Sequence, residues 1–221
     1  SDTGNDMTFL TKPQPPTNLQ AQTNNSTVIY LTWTKGTGAN NTYIERNTTQ
    51  GWARGQGTMI YNGTNTNYED TGLSENTTYY YQAWSYTTWD NLQQWSDTNA
   101  TASNKTNAIP TITDEGPSNG SINISLTPQM NITINDYDGD SMTITWYSNT
   151  SGSWVAFGTN TSVGNGTYHQ TNSNFSSYST TYWWNVTVTD GKDTNTSAIF
   201  HFTTQSAPNN PPSQNNETPA N

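Results

Sequence analysis

The sequence predicts an all-β protein made of two antiparallel, seven-stranded β-sandwiches in tandem. Runs that alternate with a period of two, rich in Tyr, Ile, Val, Thr and Trp, recur throughout the 221 residues. No window keeps the i, i+3, i+4, i+7 apolar spacing of an amphipathic helix over three turns. Proline clusters at 13–16, 110–117 and 208–212 divide the chain into modules of about 95 residues, the size of one sandwich.

The strands follow in order within these modules. In the first module, residues 14–106, we predict strands at 18–22, 27–34, 42–46, 58–61, 66–70, 77–86 and 94–102. In the second module, residues 107–205, we predict strands at 122–126, 130–135, 142–148, 153–157, 162–168, 181–189 and 197–203. Asn62-Gly63 and Asp190-Gly191 are hairpin-type turn signals.

The two ends resemble parts of the modules. Residues 1–13 are predicted to be an N-terminal strand or linker, and 206–221 a Pro/Asn-rich linker or the start of a further repeat. Either the chain is a segment of a longer array, which is the favoured interpretation, or its tails share strands with neighbouring subunits.

Composition determines the kind of core and excludes several functions. Asn, Ser and Thr supply 95 residues, whereas Leu, Ile, Val and Phe supply 27, so 9 Trp and 13 Tyr must provide much of the buried area. A net charge of −10 with six Lys and Arg offers no surface for nucleic acid or anionic membrane. No apolar run is long enough to span a bilayer, and the absence of Cys excludes disulfides and thiolate chemistry.

Asn-x-Ser/Thr sequons are twice as frequent as chance predicts. Composition alone gives about 9 such sites, and the sequence contains 18. We expect N-linked glycans, although not at every site, and therefore a secreted or cell-surface location; the alternative is that an Asn- and Thr-rich surface produces sequons as a by-product. The candidate sites are Asn24, Asn25, Asn40, Asn47, Asn62, Asn76, Asn99, Asn104, Asn119, Asn123, Asn131, Asn149, Asn160, Asn165, Asn174, Asn185, Asn195 and Asn216.

A set of positions in the first module forms a pattern along its whole length. They are the segment 15–21 (PPTNLQA), Trp33, Leu73, Tyr79, Tyr81, Ala83, Trp95, Ser96, Ala100 and Ala102. On these residues the module resembles a fibronectin type III domain. The Leu73-to-Tyr79 spacing resembles the tyrosine corner of that family, in which the phenol bonds to backbone, although Glu75 stands at the usual proline position.

The second module carries a looser pattern, in the segments 136–140 (DYDGD), 144–146 (ITW) and 182–191 (YWWNVTVTDG). It is similar to the Ig-like and fibronectin-like repeats of microbial, especially archaeal, surface proteins. That resemblance implies the fold and an extracellular compartment in an adhesin, an S-layer component or a filament subunit.

No catalytic constellation is assembled, so we predict that the protein is not an enzyme. Residues 116–120 fit G-x-S-x-G, but a nucleophile elbow needs a strand before it and a helix after it, and this segment precedes a strand. His169 and His201 lack zinc-ligand spacing.

One acidic cluster could hold a cation. Asp136, Asp138 and Asp140 lie within five residues at a turn, and carboxylates are ligands for Ca²⁺. The spacing does not fit an EF-hand. A solvated turn between two strands is the favoured interpretation, and no other cofactor is predicted.

Outward aromatic side chains are the candidate contacts for a partner or a sugar. If Tyr79, Tyr81 and Ala83 face the core, the pleat turns their neighbours outward. The candidates are Tyr80, Trp84, Tyr86, Trp52, Trp89 and Trp183. Cross-strand aromatic pairing that only stiffens the sheet is an equal alternative.

We therefore expect a non-enzymatic, glycosylated extracellular protein with a structural or adhesive role, associating with itself or with other surface proteins through sheet edges and outward aromatics. The alternative is a carbohydrate-binding accessory module of a secreted hydrolase.

Overall fold

Seventeen β-strands make up the regular structure of residues 10–209. A computed structural model describes residues 10–209, which divide into two compact units. The first unit runs to Pro110 and includes the loops Asp136–Asp140 and Asp190–Thr194. The second unit comprises Thr111–Asn135, Ser141–Thr189 and the residues from Asn195 onwards.

The first unit contains eight strands in two sheets. A three-stranded sheet has the order β1-β2-β5, and a five-stranded sheet has the order β4-β3-β6-β7, with β8 also paired to β6. The strands are β1 (Thr17–Asn25), β2 (Val28–Thr34), β3 (Asn41–Asn47), β4 (Thr58–Gly63), β5 (Asn67–Asp70), β6 (Thr78–Trp89), β7 (Leu92–Trp95) and β8 (Ala100–Lys105).

Alternation along the strands builds the core of the first unit. In β2 the side chains of Ile29, Leu31 and Trp33 are buried, whereas those between them are half-exposed. Tyr79 and Tyr81 of β6 join the same core from the other sheet. Because the core has few aliphatic residues, aromatic rings fill much of it, as the composition predicts.

The second unit contains nine strands. A three-stranded sheet has the order β14-β11-β9, and a six-stranded sheet has the order β10-β17-β15-β12-β13, with β16 paired to β15. The strands are β9 (Thr111–Gly116), β10 (Ser121–Ile124), β11 (Gln129–Asn135), β12 (Met142–Ser148), β13 (Val155–Val163), β14 (Gly166–Thr171), β15 (Thr181–Thr189), β16 (Thr194–Thr196) and β17 (Phe200–Thr204).

Two stacked tryptophans lie in the core of the second unit. Trp146 of β12 and Trp184 of β15 are both fully buried, and their rings stack with centroids 5.9 Å apart. Phe175, also fully buried, packs edge-on against Phe202 at 5.3 Å. These aromatic contacts supply packing that a short list of aliphatic residues would not.

Both units contain a tyrosine corner. The backbone N–H of Ser74 donates to the hydroxyl of Tyr79 at 3.0 Å. In the second unit the N–H of Ser177 donates to the hydroxyl of Tyr182 at 2.9 Å. The corner predicted from Leu73 and Tyr79 is therefore present, and a second corner occurs where the sequence had not indicated one.

Next to each corner, a threonine hydroxyl accepts a hydrogen bond from a backbone N–H. The Thr106 hydroxyl accepts the Thr77 N–H at 3.0 Å, and the Thr204 hydroxyl accepts the Thr180 N–H at 3.0 Å. Buried backbone donors need partners, so these hydroxyls satisfy donors that the turn would otherwise leave unpaired.

The predicted all-β tandem of sandwiches is confirmed, with short additional strands. The segment predicted as one strand at 94–102 forms both β7 and β8, because residues 96–99 leave the ladder; the two strands then pair with different parts of β6. The tails at 1–9 and 210–221, with the sequon at Asn216, lie outside the described residues. Within residues 10–209 there is no helical segment of the length and hydropathy needed to cross a membrane.

Candidate functional site

The five-stranded sheet of the first unit presents a second, outward row of side chains. Ile44 of β3 and Ala83 of β6 are in the core, so their neighbours point to the opposite side of the sheet, which we call the outer face. Cross-strand register places three outward pairs side by side: Tyr43 with Trp84, Glu45 with Gln82, and Asn47 with Tyr80.

Glu45 holds a loop over this outer face. Its side chain is fully buried, and its carboxylate accepts hydrogen bonds from Trp52 Nε1 at 2.8 Å, Gly55 N at 2.6 Å and Gly57 N at 3.0 Å. Three N–H donors are the kind of partner set that a buried carboxylate requires. An added Cβ at Gly57 would lie 2.5 Å from Trp52 Nε1, so the close approach of loop and strand depends on glycine there.

An aromatic cluster covers the adjoining part of the outer face. The Trp95 ring lies 5.4 Å from Tyr43 and 4.7 Å from Tyr86, and Trp84 lies 6.4 Å from Tyr43. The Arg54 guanidinium sits 3.9 Å above the Trp95 ring, a cation–π contact from the same loop. Burial, followed by the hydrogen bond and the charge of Glu45, raises the pKa of the Tyr43 hydroxyl.

The predicted exposure of Trp84 is wrong. Its side chain does point away from the core, as the pleat requires, but it is only 7% exposed. The pleat determines the side of the sheet on which a residue lies, and here aromatic neighbours cover that side. Trp84 is therefore packed within the aromatic cluster and does not present a contact surface, and Tyr86 beside it is half-buried.

A groove of about 590 Å³ opens next to the aromatic cluster. The loop that Glu45 anchors forms one wall, β6 forms the floor, and β8 with Asn99 just before it forms the other wall. Its lining residues are Gln50, Gly51, Trp52, Tyr80, Tyr81, Gln82, Asn99, Thr101, Ala102 and Ser103. Its size is within the range of about 300–1,000 Å³ typical of small-molecule sites.

Gln82 ties the two walls together. Its Nε2 donates to the Trp52 carbonyl at 3.2 Å, and its Oε1 accepts a hydrogen bond from Asn99 Nδ2. Both ends of the amide are thus used, which fixes its orientation. The walls of the groove are therefore preformed.

The six predicted aromatic contacts fall into three groups. Trp52 and Tyr80, both half-buried, line the groove. Trp84 and Tyr86 belong to the aromatic cluster described above. Trp89, 64% exposed near the end of β6, and Trp183, 43% exposed in the second unit, lie outside the groove, and the Trp183 ring stacks on His201 at 4.5 Å.

A partly buried ion pair, in which Asp70 is buried and Arg46 is half-buried, lies on the core side of the same sheet. Arg46 Nη1 contacts Asp70 Oδ1 at 2.5 Å, and the Tyr81 hydroxyl donates to Asp70 Oδ2 at 2.9 Å. Burial, together with the Asp70 charge and hydrogen bond, holds the pKa of Tyr81 far above its usual value. These groups are fully engaged with one another, so their role is structural.

The acidic loop of the first unit is neutralised largely by protein groups. Asp136 is buried, and its Oδ1 accepts the N–H groups of Asp138 at 2.7 Å and Gly139 at 2.9 Å. Lys105 Nζ lies 3.0 Å from Asp138, and Lys192 Nζ lies 2.7 Å from Asp140. One oxygen from each of the three aspartates lies within 4.8 Å of the others.

In this loop, burial acts to raise the pKa values of Asp136 and Asp138, whereas hydrogen bonds act to lower them. Burial raises the pKa of Asp136 more than its backbone donors lower it. Burial also acts to raise the pKa of Asp138, but the Ala108 N–H and Lys105 outweigh it and hold that pKa below its usual value. A solvated turn stays the favoured interpretation and Ca²⁺ binding the alternative, and a calorimetric titration at millimolar Ca²⁺ tests between them.

The predicted glycosylation sites lie on the accessible part of the surface. Seventeen of them fall within the described residues, and each of the seventeen is exposed or half-buried. The two asparagines that are buried in the described part of the chain, Asn107 at 1% and Asn172 at 5%, both lie outside sequons.

At least three sequon asparagines within residues 10–209 use their amide nitrogen in a hydrogen bond. Asn99 Nδ2 donates to Gln82, Asn104 Nδ2 to the Ala21 carbonyl at 2.9 Å, and Asn131 Nδ2 to the Asp114 carbonyl at 2.8 Å. A glycan attaches at that nitrogen, so these positions are poorer acceptors than the others.

Comparison with known proteins shows the fold. No protein-family model matches the chain, and no curated protein matches its sequence. Among solved structures, it is similar to a marsupial T cell receptor, with a TM-score of 0.52 and 10% identity, over 90% of this chain and 75% of that one. This similarity shows that the chain shares a β-sandwich fold of the immunoglobulin-like type, and it shows the fold alone.

Two fibronectin-type structures are also similar to parts of the chain. An Fn3-like protein from Clostridium thermocellum is 31% identical, with a TM-score of 0.36, over 44% of this chain and 97% of that one. A segment of two fibronectin type III domains from chicken tenascin is 12% identical, with a TM-score of 0.35, over 86% of this chain and 99% of that one.

The sequence did not indicate the polar residues that hold the walls of the groove. Glu45, Gln82 and Asn99 are polar residues in or next to strands, which a pattern of alternation assigns to the solvent. Only the loop folded over the outer face buries Glu45 and gives Gln82 its partners. The one signal in the sequence was an acid, Glu45, six residues before a Gly-rich loop, Gly51 to Gly57, whose glycines allow backbone N–H groups to approach it closely.

Proposed function

We propose that this chain is a non-enzymatic, N-glycosylated protein of the cell exterior with a structural or adhesive role. We further propose that this exterior is the surface of a microbial cell, specifically an archaeal one. There the chain would be part of an adhesin, a surface layer or a filament. The resemblance of the second module to microbial surface repeats supports that setting.

The distribution of the sequons carries the proposal. A glycan can be attached only where the asparagine reaches solvent, and each described sequon does so, whereas the buried asparagines of the described chain lie outside sequons. With only 10% charged residues, the surface has little of the charge that keeps ordinary proteins soluble. Glycans would supply that hydration.

Exposed apolar side chains support association with neighbours. In the second unit Ile122 is 76% exposed and Trp183 is 43% exposed, and both lie on the sheet that contains the edge strand β10. Ile122 is on the edge strand itself and Trp183 is on the interior strand β15, and exposed apolar side chains and open sheet edges both favour contacts with other chains. Trp89 of the first unit, 64% exposed, offers a further contact.

Surface labelling of native cells tests the proposal. We expect a membrane-impermeant amine reagent to modify the protein on intact cells, and removal of N-glycans to lower the mass of the purified protein. A protein protected from the reagent until the cells are lysed, with a mass explained by amino acids alone, would contradict it.

A further inference from the structure

We infer that the groove on the outer face of the first unit is a binding site for a neutral saccharide. The inference rests on the proposed adhesive function and names the chemical class of its target. It depends on four features of the groove: fixed walls, half-exposed aromatic rings, uncharged lining and a row of polar side chains.

The walls are held by interactions that do not involve the ligand. The Glu45 carboxylate anchors the loop through three N–H groups, and the Gln82 amide joins the Trp52 carbonyl to Asn99. Ordering flexible walls on binding costs entropy and weakens the affinity of a site. A site whose walls are already fixed avoids that cost. Glu45 is therefore a positioning residue for the groove.

Two aromatic rings offer apolar surface within reach of solvent. Trp52 lies in one wall and Tyr80 in the floor, and both are half-buried, so part of each side chain remains accessible. The C–H face of a pyranose ring is a flat apolar surface of matching size, and it gains by covering an aromatic ring.

The rest of the lining is polar but carries no charge. Gln50, Thr101 and Ser103 are exposed and present amide and hydroxyl groups that both donate and accept hydrogen bonds. None of the ten lining residues is Asp, Glu, Lys, Arg or His, in a chain of net charge −10. A charged ligand would lose hydration without gaining a counter-charge, so the chemistry selects a neutral ligand rich in hydroxyl groups.

The test uses the full chain produced in a host that does not add N-glycans, so that a protein-borne glycan cannot occupy the groove. Titration calorimetry with neutral hexasaccharides built of glucose, xylose, mannose or N-acetylglucosamine should give saturable binding to at least one of them. Trp52→Ala and Tyr80→Ala should each weaken that binding by at least about tenfold.

Two further variants separate a groove effect from a folding effect. Thr101→Arg fills the groove from an exposed strand position, where it leaves the core intact, and should also abolish binding. Trp89→Ala removes an exposed tryptophan that does not line the groove, and should leave binding unchanged.

Several outcomes would overturn the inference: no binding of any of the four sugars at millimolar concentration, or binding that survives Thr101→Arg and Tyr80→Ala. Tighter binding of an acidic oligosaccharide, or of a polypeptide that the same variants abolish, would replace the neutral saccharide with another ligand class. Because the chain tested carries no glycan, these outcomes leave the proposed glycoprotein function to its own test on native cells.

Discussion

The two units of the chain use the same corner but treat the outer face of the larger sheet differently. Ser74 and Tyr79 in the first unit correspond to Ser177 and Tyr182 in the second, and the two hydrogen bonds differ by 0.1 Å, at 3.0 and 2.9 Å. The outer face of the first unit, by contrast, carries an anchored loop, an aromatic cluster and a groove. In the second unit Trp183 of β15 remains 43% exposed.

This difference distinguishes structural features that stabilise the fold from features that form a binding site. A feature repeated in both units, such as the corner, is explained by the needs of a sandwich. A feature found in one unit, such as Glu45 buried beneath a Gly-rich loop, requires a local reason. The groove that this loop forms is that reason in our account.

The largest expected effect compares two tryptophans on corresponding strands. Trp184→Ala removes a fully buried ring that stacks on Trp146, and should lower the free energy of unfolding of the second unit by about 3–5 kcal/mol. Trp84→Ala acts on the outer face of the first unit and should cost less, about 2 kcal/mol. Hydrogen exchange measured on peptides from each unit gives both values, and equal losses would contradict the distinction between core and outer face.

A second comparison concerns the partly buried ion pair between Arg46 and Asp70 of the first unit. Asp70→Ala leaves Arg46 without its carboxylate and Tyr81 without its acceptor, and should destabilise the first unit by about 3–5 kcal/mol. Lys12→Ala breaks the exposed pair with Asp97 and should cost less than about 1 kcal/mol. Denaturant unfolding of the two variants would refute the account if both losses were small.

The corners predict a matched pair of smaller effects. Tyr79→Phe and Tyr182→Phe each remove one acceptor from a backbone N–H, so each should destabilise its own unit by about 1–2 kcal/mol. Hydrogen exchange should show faster opening near Ser74 in one variant and near Ser177 in the other. A loss in only one unit would show that the corners are not equivalent.

The smallest expected effect is a dependence on pH in the acidic loop. The pKa of Asp138 is lowered on folding, so its contribution to stability is present above the unfolded pKa of about 3.9 and is lost as pH falls through the folded pKa. The raised pKa of Asp136 has the opposite sign, since its contribution is lost as pH rises through the folded pKa.

Asp138→Asn isolates the first of these two contributions. The variant should be less stable than the parent at pH 6. The difference should shrink as pH falls below about 4, because Asp138 of the unfolded parent takes up a proton there before Asp138 of the folded parent does. Melting curves from pH 2 to pH 7 measure it. A difference that stays constant over that range would show that the Asp138 charge does not contribute.

Much of the fold could be predicted from the sequence because its signals are local. The alternation of Ile29, Leu31 and Trp33 predicts a strand and its inward face without reference to any other segment. The Leu73–Tyr79 spacing likewise indicates the first corner. The second corner was missed because Ser176 stands six residues before Tyr182, where the first unit has Leu.

The groove could be predicted only in part because it depends on contacts between distant segments. Trp52 and Tyr80 were identified as aromatic candidates, but nothing near them in sequence indicates that a loop and a strand bring them to one groove. Glu45 shows the same limit, since a lone acid in a strand ordinarily faces water. Three N–H groups from residues 52–57 reverse that expectation.

Glycopeptide mapping of protein from native cells tests the central claim most directly. We predict glycans at exposed sequons such as Asn24, Asn62 and Asn174, and bare asparagine at Asn99, Asn104 and Asn131, whose amide nitrogens are held in hydrogen bonds. Unmodified asparagine at all of the sites would contradict the claim that this is a glycosylated protein of the cell exterior.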